Sequence, residues 1–530
     1  MNGIPGAAAC LACLLALSSG QAALSDPFDT DQVFQFKIEV PEAGMATLRR
    51  STFHRRMPSL SHRPKTSAKV HINGIAFNEV AIHLKGAAGS FRSVDDKPAF
   101  TIHLDKHIRE QDFKGYDKFY LNNSVQDPTY FNEILCRELF AQAGIPVPRA
   151  VHATVELNGR DLGLYVMLEG FNKRFLRRHF KNVDGNLYDG GFLNDLTKDL
   201  KVNNGADPLN HDAKDALTTA LFETDMNQLL PGIVKWLDMD LFLTHLALDT
   251  LTWNWDGYAM NRNNYRLYHN RDTGKFQFIP HGMDQMFKHP YGDIYPRHKG
   301  LAAQSVMQLP QIRQQYFQRM RKLFGTVFQP EHLIHRIEQL TAVVDPELKK
   351  RNMYAGSRHQ RAVLRLKENI QERSDFLAFQ LSAPDRALKF PASGVIALKK
   401  WKASRLFGDI QLRESSVQGR SVLMLESGRE LSIGRWYSRQ LLTRGIYRLV
   451  GSVRCDGVVP RPGDRNGGVR LRVTGSRTGN PLTGSCDWKT VAVDFGVGHP
   501  VAEVDLSCEF RGMQGRAWFD LETLKLIRLQ

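Results

Sequence analysis

Past residue 23 the sequence has no CxxC pair, and it has no HExxH anywhere. That removes the usual spacings of a structural or hydrolytic zinc site. The 18 histidines form no ligand-spaced cluster. No stretch beyond the N-terminus reaches the 18 or so apolar residues of a membrane span. No internal repeat and no nucleic-acid motif is present, so neither a solenoid nor a DNA-reading module is expected. Acid is also short: 55 Asp and Glu stand against 71 Lys and Arg, a net charge of +16. The excess base is spread along the chain and reads first as a solvated surface. Its second reading is attraction to anionic partners such as surface polymers, acidic proteins or nucleotides.

At 530 residues the chain is too long for one simple core. Residues 7 to 18 are small and apolar and lead to Gly20-Gln21-Ala22, a small-x-small cleavage pattern. Residues 1–23 are therefore expected to be a secretory signal peptide, although no Lys or Arg precedes the apolar run. Export makes a disulfide permissible. Cys136 falls in an expected helix and reads as a small buried hydrophobe. Cys455, Cys486 and Cys508 share the C-terminal region, and spacing leaves their pairing open.

Residues 34 to 120 alternate in strand fashion, with Asn73-Gly74 marking a hairpin and "GAAGSFRSVDD" forming a small loop between strands. "DPTYFNEILCRELFAQAG" reads as a helix with Asp127 as N-cap and Gly144 at its C-terminal end. A second hairpin turns at Asn158-Gly159. Residues 171 to 385 read as mostly helical, including 233–251, interrupted by a hairpin around "RDTG". From about 392 short strands recur, as in an all-β sandwich or jelly roll. "SAPDRALKFPASG" (382–394) is the expected linker, giving units at 30–385 and 395–530.

The acids of "WNWDGYAMNRNNYRLYHNRDTGKFQFIPHGMDQMF" (253–287) carry the chemistry. Phosphoryl transfer from a nucleotide needs a Lys on the phosphates, a carboxylate at the acceptor hydroxyl, and an Asp and an Asn on the metal. Asp256 and Asn261 have D-x-x-x-x-N spacing, and Asp284 follows an apolar strand. The alternative is ordinary turn chemistry.

Five blocks in order, "VAIHLKGAAGSF", "DKPAFTIHLDK", "LNNSVQDPTYFNEILCRELFAQAGIPVPRA", "VELNGRDLGLYVMLEGFNKRFLRRHF" and "NNYRLYHNRDTGKFQFIPHGMDQMF", resemble the CotH kinase family over roughly residues 35 to 380. The resemblance implies an α+β, two-lobed atypical kinase-like domain using ATP and Mg²⁺. It implies Asp256 as the catalytic acid and Asp284 as a metal ligand, with Asn264 or Asn261 beside it. It also implies Glu133 as the helix acid paired with a phosphate-binding Lys, Lys97 or Lys85, and Glu169 at the nucleotide hinge. Many relatives carry Pro-Trp-Asp-x-Asp where this chain has Pro280-His281-Gly282-Met283-Asp284, so one acid is missing. His281 itself reads as structural.

The expected function is an exported kinase that phosphorylates Ser or Thr of a surface or coat protein. The rival is an inactive kinase-like scaffold or glycan-binding surface protein. Trp436, Tyr437, Trp488 and Trp518 are the glycan-contact candidates in the C-terminal unit, with core packing as their other role. Neither a nucleic-acid partner nor a membrane span is expected. N-terminal sequencing of exported protein should begin near Ala23 or Leu24; a retained Met1 would remove the leader and the secreted, periplasmic or cell-surface location with it.

Overall fold

The computed structural model describes residues 26–529 apart from 56–59, 352, 383–386, 429, 465–466 and 474–479. The expected leader and part of the expected linker lie outside the described residues. The first lobe is a closed barrel of seven strands in the order β1-β2-β3-β4-β5-β7-β6. These are β1 (Phe34–Glu39), β2 (Thr66–Ile72), β3 (Ile75–Lys85), β4 (Ala99–His103), β5 (Lys118–Asn122), β6 (Ala150–Leu157) and β7 (Arg160–Glu169). Strand β1 closes the barrel by pairing parallel to β6, and every other pair is antiparallel. Alternation creates the interior: Phe34, Phe36 and Ile38 of β1 point inward and their neighbours outward.

Both expected hairpins form. Asn73 and Gly74 take φ of +48° and +84°, and Asn158 and Gly159 take +47° and +78°. These left-handed pairs suit the turn that matches strand twist. The asparagine side chains also tie the barrel ends: Gln35 N donates to Asn73 Oδ1 at 2.7 Å and Val40 N to Asn158 Oδ1 at 2.7 Å.

The helix after β5 runs Asn132–Gln142 and starts later than Asp127 suggests. Asp127 instead accepts from Thr129 N at 3.0 Å and from Asn132 N at 2.9 Å, so its carboxylate closes a turn before the helix and still serves the first helical N–H. Gly144, at φ +81°, ends the helix as expected.

The second lobe is largely helical but holds a small sheet, ordered β11-β10-β8-β9. Its strands are β8 (Leu187–Asp189), β9 (Lys201–Asn204), β10 (Tyr265–Asn270) and β11 (Lys275–Pro280). The β10–β11 hairpin was expected; β8 and β9 are three and four residues long and carry no period of their own. The expected helix over 233–251 is two, Met226–Trp236 and Met239–Leu251. Asp238 divides them, because its carboxylate caps the second by accepting from Leu241 N at 3.2 Å. Two short helices, Tyr258–Asn261 and Leu301–Met307, and three long ones, Pro310–Thr326, Pro330–Arg351 and Met353–Leu381, follow among the described residues. No described helix is long and apolar enough to cross a membrane.

The C-terminal region is β-rich, a nine-stranded antiparallel assembly with its own core around Leu449, Val453, Leu506 and Phe519. The separate strands expected near 489–497 and 501–510 are one strand, Gly484–Gly512, paired along Ser432–Val459. Trp436, Tyr437 and Trp518 are buried and Trp488 is half-buried. Tyr437 packs on Phe379 at the end of the last helix, where Arg439 donates to Phe379 O at 2.9 Å.

One buried side chain fixes the second lobe. Arg373 is fully buried in Met353–Leu381 and donates to the carbonyls of Thr250 (2.6 Å), Leu251 (3.1 Å), Pro290 (3.0 Å) and Gly292. Two of these end the helix Met239–Leu251, where a cation meets the negative end of the helix dipole. Arg373 makes no salt bridge among the described residues, and burial pulls its pKa down to about 10. Arg373→Ala should strip four carbonyls of their donor and cost about 3–5 kcal/mol. Urea unfolding should show it as a lower midpoint; an unchanged midpoint would refute the role.

Candidate active site

Between the barrel and the helical lobe lies a cleft of about 760 Å³, a size that accommodates a nucleotide-scale ligand. Lys85 reaches it from the end of β3, Glu133 from the first turn of Asn132–Gln142, and Glu169 from the end of β7. The lower wall comes from the turn after Met239–Leu251, which carries Asp256, and from the residues flanking the β10–β11 hairpin, Asn264 and Asp284. Seven of the eight residues singled out from the sequence line this cleft. Lys97 does not: its ammonium donates to Tyr130 Oη at 3.0 Å and sits over the rings of Tyr130 and Tyr165. Register decides this, since Lys85 pairs with Ala99 and leaves Lys97 beyond the end of the ladder.

Glu133 and Lys85 meet through a third side chain. Lys85 Nζ donates to Asn122 Oδ1, and Asn122 Nδ2 donates to Glu133 Oε1 at 2.8 Å. Glu133 is itself buried and ion-paired to Arg137 at 2.7 Å. Burial pulls the Lys85 ammonium down to about 8, against the attraction of Glu133. An anion placed against Lys85 would reverse that shift. The next five residues, Gly86 to Ser90, also line the cleft. Gly86 and Gly89 take φ of +109° and +84°, and the N–H groups of Ala88 and Gly89 have no backbone or side-chain acceptor among the described residues. Such a turn is suited to anion oxygens. The sequence reading marked this loop as small and glycine-containing without giving it a role, and it passed over Asn122.

Asp256 is the most constrained acid. Asn261 Nδ2 donates to its Oδ1 at 2.7 Å; Asn263 and Asn264 donate to its Oδ2 at 3.1 and 3.0 Å. A carboxylate has about four lone-pair sites, so one remains, on Oδ1. Burial holds its pKa above the ordinary carboxylate value, while the three amides pull the other way. Asn263, a neighbour of both sequence candidates, is thus part of the same cradle. The amide oxygens differ: Asn261 Oδ1 accepts from Lys299 Nζ at 3.0 Å, whereas Asn264 Oδ1 faces Gly282. A Cβ at Gly282 would lie 2.5 Å from that oxygen, and Gly282 has φ +61°. The space that a side chain at 282 would need is filled by the Asn264 carboxamide.

Asp284, half-buried, makes no ion pair among the described residues. Burial, then the charges of Glu133 and Asp127, push its carboxyl up to about 7. No group of three or more His, Cys, Asp or Glu among the described residues is placed to hold a metal. A hard cation here would draw on Asp284, the Asn264 amide oxygen and oxygens of its own ligand, a donor set that Mg²⁺ accepts. His281 lies beside them but is kept neutral by burial and by Arg266, whose guanidinium donates to its Nε2 at 2.9 Å. Glu169 is held by Arg178 and accepts from Arg149 N at 3.2 Å, yet its buried Oε1 has no partner among the described residues.

A profile of the CotH kinase protein family matches residues 82–377. The chain belongs to this family. The cleft lies within or at the edge of the matched CotH segment, apart from Arg55 on its rim. The inner spore coat protein H of Bacillus subtilis is 25% identical over 299 residues, 51% of this chain and 80% of that protein. Spore coat protein homolog 1 of Rhizopus delemar is 26% identical over 184 residues, 32% of this chain and 30% of that protein. Among solved structures, the Helicobacter pylori proinflammatory kinase CtkA aligns with 56% of this chain and 96% of its own, at 9% identity and a TM-score of 0.26.

The raised Asp284 carboxyl binds its proton more tightly folded than unfolded. Its contribution therefore favours folding below the ordinary value of 3.8 and is lost as pH rises through about 7. Without nucleotide or divalent cation, Asp284→Asn should melt roughly 2–4 °C above wild type near pH 8 and converge on it at about pH 4. Identical melting at both pH values would mean that the carboxylate carries no such penalty.

Proposed function

We propose that this chain is an exported protein kinase that transfers the γ-phosphoryl group of ATP to a Ser or Thr hydroxyl of a cell-surface or coat protein. The observation that carries the proposal is the pairing, across one cleft, of a thrice-clamped Asp256 with a charge-starved Asp284 and the Lys85–Asn122–Glu133 chain. The spore-coat names of the relatives and the expected leader support the exterior location.

ATP enters with its phosphates against Lys85 and the N–H groups of the 86–90 loop. Asn122 transmits the charge of Glu133 to Lys85 and keeps the ammonium aimed into the cleft. Glu169 Oε1, buried and unpartnered, suits the exocyclic amine of adenine at the end of β7. Mg²⁺, when bound, neutralises the phosphate charge that develops during transfer. Asp284 would hold it, with Asn264 Oδ1 rather than the Lys299-bound Asn261 oxygen as the amide donor. Asp256 receives the acceptor hydroxyl on its one open lone pair. The hydroxyl oxygen then attacks the γ-phosphorus in line, ADP departs, and the proton passes to Asp256. The amides fix the acid's direction, and its raised proton affinity assists the transfer.

The C-terminal β-rich region, taken as a sandwich, would hold the kinase unit to an external surface, with glycan contact as its proposed chemistry. The half-buried Trp488 is the most accessible of the four aromatic candidates. A second reading, a kinase-like scaffold without turnover, draws on Gly282, which leaves Asp284 without its neighbouring acid.

Wild type should show an ATP/Mg²⁺-dependent thermal shift and label itself or a Ser/Thr acceptor from γ-labelled ATP. Asp284→Ala should lose both the shift and the labelling. Asp256→Ala should keep the shift and lose roughly 10²–10⁴-fold in rate. A shift without any labelling in wild type would favour the scaffold. Binding that survives Asp284→Ala together with full activity of Asp256→Ala would assign these acids to turn chemistry alone.

A further inference from the structure

The C-terminal region holds a second reactive constellation, remote from the cleft in sequence. Four cysteines lie among the described residues, and two of them stand alone: Cys136 is buried in the helix Asn132–Gln142, and Cys508 is buried opposite Trp436 and Leu471. Cys455 and Cys486 are different. They face each other directly in the antiparallel pair formed by Ser432–Val459 and Gly484–Gly512, with their sulfurs 2.9 Å apart. Directly opposed residues on such strands have Cβ atoms about 4.5–5.5 Å apart, close to the span of a disulfide.

The local backbone is built around this meeting. Register shifts occur on both sides of Cys455, between Val453 and Cys455 and between Cys455 and Val458. A bulge turns a side chain away from the regular alternation. Gly457, at φ +57°, supplies the bend. Ser485 pins it: Gly457 N donates to Ser485 Oγ at 2.9 Å, and Ser485 Oγ donates to Asp456 Oδ1 at 3.1 Å. One cysteine is inside and the other at the surface, since Cys455 is buried and Cys486 is half-exposed.

We propose that Cys455 and Cys486 form a disulfide site, closed by exchange with an oxidised dithiol oxidoreductase or a small disulfide such as oxidised glutathione. Cys486, the accessible sulfur, loses its proton and attacks the oxidant's disulfide. That bond breaks, one oxidant sulfur leaves as a thiolate and takes up a proton, and a mixed disulfide remains. Cys455 then gives up its proton and attacks the Cys486 sulfur, and the second oxidant sulfur leaves and is protonated. Two thiols of this chain are oxidised, and one disulfide of the oxidant is reduced to two thiols. Burial raises the Cys455 thiol, so the first attack falls to the more accessible Cys486. Cys136 and Cys508 stay reduced because each is enclosed without a facing sulfur. The closed bond ties the two longest strands of the region together and gives the pair a use only in an oxidising compartment.

The test uses the full-length chain. After incubation with oxidised glutathione, thiols are blocked under denaturing conditions and peptides are mapped by mass. The expected result is one linked peptide joining Cys455 to Cys486, two hydrogens lighter than the sum of its parts and lost on reduction. Reduction should lower the melting temperature of the C-terminal transition by roughly 2–4 °C or more. Cys486→Ser should melt near the reduced wild type and ignore the reductant. Alkylation of both Cys455 and Cys486 after oxidation, or a bond from either to Cys508, would overturn the proposal. So would a melting temperature unmoved by reduction of a mapped bond, because the pair would then tie nothing that matters to the fold. The peptide map of wild type decides the question even where a variant fails to fold.

Discussion

One buried guanidinium organises the half of the molecule that carries the acids. Arg373 lies fully buried and donates to four backbone carbonyls. Two belong to the last turn of Met239–Leu251 and two to the segment 290–292. The chain leaves the helix through Trp253, at φ +53°, which lies beneath the guanidinium, and reaches Asp256 three residues later. A helix end, a strained turn and a distant helix are thus fixed by one side chain. That junction sets the backbone from which Asp256 projects. The three amides that hold the carboxylate then act on an acid already in place.

The barrel contributes in a different way. It is held by alternation and hairpin chemistry, and its strand ends serve as mounts for Lys85, Asn122 and Glu169. Charge in the cleft is arranged as opposition: a lysine pulled down by burial on one wall and a carboxyl pushed up on the other. Each state is costly in the empty protein, and each is relieved by a ligand that carries both an anion and a cation.

Much of this was legible in the sequence where the signal is local. Asn73-Gly74 and Asn158-Gly159 state their turns outright. The spacing of Asp256 and Asp284 around a hairpin survives into the structure because that hairpin is itself local. What failed did so for nonlocal reasons. Lys85 and Lys97 look alike as strand-end lysines, and only the pairing of Lys85 with Ala99 separates them. Asn261 and Asn264 both touch Asp256, and it takes Lys299, 38 residues away from Asn261, to tell their oxygens apart. Asn122 carries no motif; it meets Lys85 and Glu133 only because β3 and β5 flank β4 and end on the same side of the barrel. The long strands of the C-terminal region were read as short ones because their interruptions are bulges rather than turns.

The carboxamide of Asn264 seated over Gly282 has a meaning for how this sequence can drift. The oxygen occupies the space a side chain at 282 would need, so the two positions share one volume. A side chain does not fit at 282 while Asn264 keeps this rotamer, and Asn264 cannot swing away without releasing Asp256. A substitution at 282 would either cost Asp256 a clamp or strain a backbone already at φ +61°. The two positions can therefore vary only together: a side chain gained at one has to be matched by a smaller or differently placed one at the other.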